Sequence, residues 1–442
     1  MPDEKSFFQQ GTEHFKNKEF EKAVKAFQQA IQIQSTEQNL CGLGLVYTFQ
    51  NKFEEAQKVF QQALQLNPES LTAKKALTKT QHQLEEFQQI AQFYQELKKK
   101  LVVDPSKALT SLIVITHNQL YYTRLCLESI FATTDVPYEL ILVDNASTDG
   151  TGAYFLSLEK NKHQLSPALK GLYLCLNSDN RGFAAAVNQG LKQGKGKVLG
   201  VLNNDLLFTP KWLSSLLDSM QKNKCQLIGP VCNAVEDVIQ LPQLVNTSYT
   251  DVKSMLQYIG GREAAQLEYA PADWIAGFCL LIQREVVNKI GYFDEQFGLG
   301  FCEDEEYCYR ARQAGFSVGF TQVFIHHYWH KSFSQLDANK QNQRVFQNLN
   351  YLLRKMIQLN PQDINAHYRL ADNLVLQQNY AEAEKHYQKC LDLQPHHTEA
   401  LYNLGVLYHK TKRPEQAKKS FQQLLQQNPG HEGAQKAIAL VK

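Results

Sequence analysis

Apolar positions along this chain follow two different periods. Towards both ends they recur at the three- and four-residue steps of amphipathic helices, set among Gln, Lys and Ala. Around Leu43 and Gly44 they run Leu40, Leu43, Gly44, Tyr47, Ala56, Phe60 and Ala63, closed by Pro68. The same offsets return as Leu401, Leu404, Gly405, Tyr408, Ala417, Phe421, Leu424 and Pro429. One period earlier they stand at His367, Leu370, Ala371, Leu374, Ala383, Tyr387, Cys390 and Pro395. A weaker copy opens the chain at Phe7, Gly11, His14, Ala23, Phe27 and Ala30, with Ser35 in the place of proline. This spacing predicts helix hairpins. Small residues such as Gly44 and Ala56 let two helices approach, Tyr47 and Phe60 fill the remaining gap, and the proline ends the second helix. The stretches from Ala76 to Leu97 and from Val345 to Pro361 read as partial repeats or capping helices. Arrays this short are expected to lean on the middle of the chain or on another subunit.

From Leu109 the period changes. "SLIVIT" (Ser111 to Thr116) is a continuous apolar run that breaks at His117-Asn118, and an amphipathic stretch with Leu125, Leu127 and Ile130 follows. "YELILVDNASTDGT" (Tyr138 to Thr151) is a second buried run, ending in Asp144, Asn145, Ser147, Thr148 and Asp149. "GLYLCLNSDNRGFAAAVNQGL" passes from strand through a polar turn into a small-residue helix, and "GKVLGVLNNDLLF" ends its strand at Asn203, Asn204 and Asp205. Strands alternating with helices predict an α/β domain around a mostly parallel sheet covered on both faces. Its polar residues gather at the carboxyl ends of the strands, the edge where open α/β sheets bind ligands. The first strand is not followed by Gly-x-Gly-x-x-Gly, and no Gly-x-x-x-x-Gly-Lys-Ser/Thr occurs. A dinucleotide-binding or P-loop reading is therefore disfavoured.

Length and charge narrow the classes further. A chain of 442 residues is long enough for two or three domains. Its 46 basic and 44 acidic residues are near balance, which gives no footprint for nucleic acid or for an anionic membrane surface. Nine cysteines, an odd number without a Cys-x-x-Cys pair, fit a reducing compartment. "MPDEKSFFQQ" has neither the basic start nor the apolar core of a signal peptide, and "WIAGFCLLI" (Trp274 to Ile282) is too short to cross a membrane. The expectation is a soluble, cytoplasmic protein without a transmembrane segment.

The helical ends resemble the tetratricopeptide repeat. In the middle, "SLIVITHN", "LILVDNASTDGT", "NRGFAAAVNQG", "VLNNDLLF", "WIAGFCLLIQREV", "GYFDEQF", "EDEEYCYRARQAGF" and "FIHHYWHKSF" resemble, in that order, the segments of family 2 glycosyltransferases, nearest to their rhamnosyltransferase-like branch. The resemblance covers about half the chain. It implies a GT-A fold and inverting transfer from a nucleoside-diphosphate sugar. The expected division is a helical array over 1–100, a GT-A domain over 108–335 and a second array over 345–442.

What the resemblance implies can be followed residue by residue. Thr116, Asn118, Asp144 and Asp149 would meet the nucleotide, and a carboxylate at Asp144 suits the imide N–H of uracil or thymine, which favours a UDP- or dTDP-linked donor. Asp144, Ser147 and Asp149 have a plainer use as caps of the next helix, with Ser147 the better cap. Asn180, Arg181, Asn188 and Asn204 join the donor set, with an exposed ion pair as the other use for Arg181. Family members carry an Asp-x-Asp element that holds a divalent cation, which neutralises the leaving diphosphate. Here it reads Asn203-Asn204-Asp205, leaving Asp205 as the main ligand. His327, by its register against Ser332-Phe333, or else His326, would add an imidazole, which suits Mn2+ better than Mg2+. The histidine spacing is not that of a zinc site.

Glu303 to Glu306 form an unbroken acidic run. Acids at the amino end of a helix meet the positive end of its dipole, which explains Glu305 and Glu306. Asp304 matches the family's catalytic aspartate, the base that takes the acceptor's hydroxyl proton, and Glu303 stands beside it on the acceptor side. Trp274 and Gly277 resemble the acceptor loop, where a tryptophan stacks on a sugar or fills a core. The expected acceptor is a glycan, a lipid-linked glycan or a protein. The arrays would bind a protein partner or a second copy of the chain. The rival reading is a repeat scaffold that carries a degenerate transferase domain.

Overall fold

The computed structural model describes residues 3–17, 19–233, 249–261, 268–328 and 338–441. The chain divides into two compact units, Met1–Leu299 with Arg310–Leu336, and Gly300–Tyr309 with Asp337–Lys442.

The first unit opens with five helices, α1 (Glu4–Lys16), α2 (Phe20–Ile33), α3 (Glu37–Phe49), α4 (Phe53–Leu66) and α5 (Leu71–Lys99). Asp3, Thr36 and Ser70 cap α1, α3 and α5 by accepting from the backbone N–H three residues on. The small-against-large code works as predicted. A methyl group placed on Gly44 would stand 2.5 Å from the Phe60 ring, so the close approach of α3 and α4 needs a residue without a side chain. α4 stops at Leu66, before Pro68, because the residue preceding a proline is pushed out of the helical region. The long α5 runs on to pack against the α/β part. Its buried Tyr94 donates to the Phe208 carbonyl at 3.1 Å, and the Phe53 and Phe87 rings both lie 4.8 Å from the Tyr121 ring.

The α/β part follows as β1 (Thr110–Thr116), α6 (Leu120–Thr133), β2 (Tyr138–Asp144), α7 (Thr151–Lys160), β3 (Leu169–Leu176), α8 (Phe183–Gln193), β4 (Val198–Asn203), β5 (Leu206–Phe208) and α9 (Trp212–Asn223). It continues through β6 (Leu227–Cys232), α10 (Val252–Gly261), β7 (Tyr269–Pro271), β8 (Cys279–Gln283), α11 (Arg284–Ile290), α12 (Glu303–Gln313) and β9 (Val318–His327). The sheet order is β3-β2-β1-β4-β8-β6-β9-β5, with β7 on β9. The long pairings, β3-β2-β1-β4 and β6 with β9, are parallel. The shorter ones made by β8, β5 and β7 are antiparallel, so the sheet is mixed and mostly parallel. Leu112, Val114, Leu140 and Leu142 share a core with Phe131 of α6 and Trp212 of α9, while Ile113 faces Gly190 of α8 on the other side. Burial on both faces is why the centres of these strands, Leu112 to Ile115 and Leu140 to Val143, are apolar at successive positions.

The second unit holds α13 (Ala338–Leu359), α14 (Ile364–Leu376), α15 (Tyr380–Leu393), α16 (Thr398–Lys410), α17 (Pro414–Gln427) and α18 (Glu432–Leu440), together with the start of α12. Gly405 repeats the role of Gly44, with Phe421 as its partner. Among the described residues no helix is long and apolar enough to cross a membrane.

Candidate functional site

The carboxyl ends of β1, β2 and β4 lie side by side. Thr116 pairs with Asp144 across β1 and β2, and Ile115 pairs with Asn203 across β1 and β4. Asp144 is buried and accepts from the Ser147 N–H at 3.0 Å. Thr116 is buried too, its hydroxyl donating to the Val143 carbonyl. Asn118, in the left-handed region at φ 59°, donates its N–H to the Ser147 hydroxyl at 2.7 Å and accepts from the Thr148 N–H at 2.8 Å. Ser147 therefore ties two loops together, and the expectation that it caps α7 is corrected. The N-cap of α7 is Gly150, and Asp149 is the residue that serves the helix starts. One oxygen of Asp149 accepts from the Leu120 N–H at 2.7 Å, and the other from the Thr151 N–H and hydroxyl.

Asn180 and Arg181 reach the same edge through Asn145. The Asn145 amide donates to Asn180 at 2.8 Å and to the Gly182 carbonyl at 3.1 Å, and its oxygen accepts from the Arg181 N–H at 3.1 Å. The Arg181 side chain is 52% exposed, and its Nε stands 4.0 Å from Asp179 Oδ1. That is a weak pair. Asn204 donates to the Thr123 hydroxyl at 2.8 Å and so fastens the β4 end to α6. Asn188 departs from its expected donor contact. Its amide donates to the Phe293 carbonyl and Glu295, and its oxygen accepts from the Phe293 N–H. Both ends of that buried amide are committed within the protein, so Asn188 acts as a clamp.

Asp205 and His327 meet because β5 pairs with β9, which sets Leu206 opposite His327. His327 Nε2 lies 3.1 Å from Asp205 Oδ1, and both side chains are almost wholly buried. The imidazole stacks on Phe278, with ring centroids 5.1 Å apart. Burial by itself would lower the His327 pKa, but the Asp205 carboxylate, with Cys232, raises it to about 9. His326 points to the opposite face of the strand, where it meets the Tyr249 hydroxyl at 2.6 Å and is lowered to about 3 by burial and by His327. His330 and the Ser332-Phe333 pair lie outside the described residues. Among the described residues no three His, Cys, Asp or Glu side chains group closely enough to hold a metal by themselves. Asp205 and His327 nevertheless fit a divalent cation. A carboxylate oxygen and a ring nitrogen at this separation are spaced like two ligands of one ion, each about 2.1 Å from it. Substrate phosphate oxygens and water would complete such a shell.

The acidic run belongs to the second unit. Glu303 is buried, and burial, followed by the charge of Asp304, raises its carboxyl to about 8. Asp304 accepts from the Glu305 N–H at 2.8 Å. Glu305 and Glu306 do more than serve the helix start. Arg369 grips both oxygens of Glu305, and Lys355 Nζ stands 2.6 Å from Glu306. Trp274 and Gly277 fall between β7 and β8 in the first unit, with Trp274 half-buried.

Sequence reasoning noted Asn145 only as a strand-end residue, without a role, and passed over Asn233. Asn233 accepts from the His327 N–H at 2.7 Å and donates to its carbonyl, which fixes the strand end that carries the imidazole. It also missed Glu21 and Asn51 of the amino-terminal helices, which bond Thr148 and Gln119 at 2.7 and 2.6 Å. The position of Asn145 at a strand end was the available signal for that residue. Nothing in the repeat pattern singled out Glu21 or Asn51.

Residues 111–291 match the family model described as Glycosyl transferase family 2. Residues 4–37, 40–70 and 374–441 match models of the tetratricopeptide repeat. Among curated proteins the chain is similar to the glycosyltransferase AglE of Haloferax volcanii, at 24% identity over 217 residues, covering 49% of this chain and 65% of that protein. The chain thus spans just under two thirds of that relative. It is also similar to the N-acetylglucosaminyl-diphospho-decaprenol L-rhamnosyltransferase of Mycobacterium tuberculosis, 23% identical over 246 residues, or 50% of this chain and 76% of that one. A solved mannosyltransferase from Pyrobaculum calidifontis, in complex with GDP-Man and Mn2+, aligns over 79% of this chain and 96% of its own, at 16% identity and a TM-score of 0.42.

Proposed function

We propose that this chain, which carries a family 2 glycosyl transferase domain between tetratricopeptide repeats, moves a sugar from a nucleoside diphosphate to a hydroxyl by one displacement with inversion. The match to the family model supports sugar transfer, and the residue roles are our reading. The observation that carries it is the buried Asp205–His327 pair, set at the sheet edge that also bears Asp144.

Asp144 accepts from the imide N–H of a uracil or thymine base, and Thr116, Asn118 and Asp149 shape the loop around it. Asn180 and Arg181 line the phosphate side, held by Asn145. A bound Mn2+ or Mg2+ would supply Lewis-acid neutralisation of the leaving diphosphate. Asp205 would hold it with a carboxylate oxygen, and His327 with Nε2 after giving up the proton that it shares with Asp205. Asp304 takes the proton from the acceptor hydroxyl as its oxygen bonds to the anomeric carbon. The bond from that carbon to the diphosphate oxygen breaks on the opposite face, and its electron pair leaves with the diphosphate. Glu303, Trp274 and Gly277 stand on the acceptor side. The acceptor is a glycan, a lipid-linked glycan or a protein, and the arrays recruit it, another protein or a second copy.

The test is release of nucleoside diphosphate from UDP-, dTDP- and GDP-linked sugars by wild type and Asp304→Asn, with the anomer of the product read by NMR. Turnover lost in Asp304→Asn, with nucleotide binding kept and an inverted product, is the expected result. Retained turnover removes Asp304 from the role. Failure of the wild type on every donor shifts the balance to a scaffold with a retired domain.

A further inference from the structure

The turn before Asp304 is held in an unfavourable shape. Gly300, Phe301 and Cys302 all have positive φ, at 128°, 79° and 72°. For the two residues with side chains this is unfavourable and persists only where the surroundings over-determine it. The surroundings here are the first two helices of the carboxyl-terminal array. The buried Asn348 of α13 donates to the Gly300 carbonyl at 2.8 Å and to the Phe301 carbonyl at 3.1 Å. Beyond Asp304, the Arg369 guanidinium of α14 binds both oxygens of Glu305, one of them at 3.0 Å. Lys355 of α13 reaches Glu306, whose side chain is only 2% exposed. One turn later the Tyr309 hydroxyl donates to Asp363 at 2.9 Å, and Asp363 in turn caps α14.

These anchors fall on both sides of Asp304 and come from a different segment of the chain. A helix start that needed only its dipole compensated would have no use for an arginine fork from another helix. A fork of two parallel bonds fixes direction as well as distance, which a single lysine contact does not. We propose that α13 and α14 form a positioning frame for the Asp304 carboxylate, with Arg369 as its principal positioning residue. This rests on the reading of Asp304 as the base. The carboxyl-terminal repeats thereby become a working part of the transferase and not solely a partner-binding appendage.

A misplacement of about 1 Å at a reacting group lowers turnover by about 100-fold. With the full-length chain, and whichever of UDP-glucose, dTDP-rhamnose and GDP-mannose the wild type turns over, Arg369→Ala should lower kcat by ~10- to 100-fold. The donor KM should stay within about twofold, because Asp144 and Asp205 are untouched. Arg369→Lys, which keeps one of the two contacts, should recover much of the loss. Glu305→Ala should lower kcat similarly, and the double variant should be no worse than either single one. Rates are counted per nucleotide-binding site, so loss of folded protein does not register as loss of kcat. Unchanged kcat in both single variants, or additive losses in the double one, would overturn the frame while leaving the proposed function intact. A wild type that binds nucleotide and turns over no donor would instead overturn the proposed function, and the frame with it.

Discussion

Glu303 allows a prediction whose sign reverses the usual expectation for a conservative change. Its carboxyl is buried and raised to about 8, against 4.5 for an ordinary glutamate, by burial and then by Asp304. At pH 7.5 the folded protein therefore keeps this proton, whereas the unfolded chain gives it up. Each unit between the ordinary pKa and the working pH is worth about 1.36 kcal/mol, so holding the proton at pH 7.5 costs roughly 3–4 kcal/mol. A raised carboxyl contributes its full stability below pH 4.5, and that contribution is lost as the pH climbs to about 8. Gln has the same shape and is neutral in both states. Glu303→Gln should therefore be more stable than wild type by about 3 kcal/mol at pH 7.5, with the gap closing to below about 1 kcal/mol at pH 5. Urea unfolding of both proteins by circular dichroism at pH 5, 6, 7 and 8 measures it. A gap that ignores pH, or a Gln variant less stable at pH 7.5, would contradict a buried Glu303 that keeps its proton. A residue kept at such a cost in stability is expected to serve function, so the stabler variant should also transfer sugar more slowly.

Other outcomes follow from single contacts. Gly405→Ala puts a methyl group 2.6 Å from the Phe421 ring and should destabilise the carboxyl-terminal array by about 1–3 kcal/mol, read as a lower urea midpoint. Asn145→Ala removes the bonds that join the β2 end to Asn180, Arg181 and Gly182, and should weaken UDP binding by about tenfold in calorimetry. Because His327 is raised to about 9, a metal must displace its proton, so Mn2+-supported UDP binding should tighten as pH rises from 6.5 towards 9. A flat profile would take His327 out of the ligand set.

The repeats were legible because their code is local. Gly44 and Phe60, or Gly405 and Phe421, lie within one hairpin, and the proline two residues past each second helix marks its end. β1 and β2 were legible because their centres, buried on both faces, are continuous apolar runs. The antiparallel entry of β8, and β6 as a strand at all, were not predicted, because their partners are chosen across the fold and leave no periodic trace in Leu227–Cys232. The site divides along the same line. Asp144 and Asp205 were visible as acids at strand ends. Asn233 depends on a strand 94 residues away, and the grip on Glu305 on an arginine 64 residues on. The acidic run itself was plain, but the cations that take up half of it belong to a repeat whose sequence advertises only its own packing.

The measurement that bears most directly on the account is calorimetric titration of UDP, dTDP and GDP, with and without Mn2+, into wild type and Asp205→Ala. Metal-dependent binding of UDP or dTDP to wild type is expected, with a loss of tenfold or more in Asp205→Ala. Folded wild-type protein that binds none of the three, or an Asp205→Ala variant that binds as well as wild type with Mn2+ present, would contradict it.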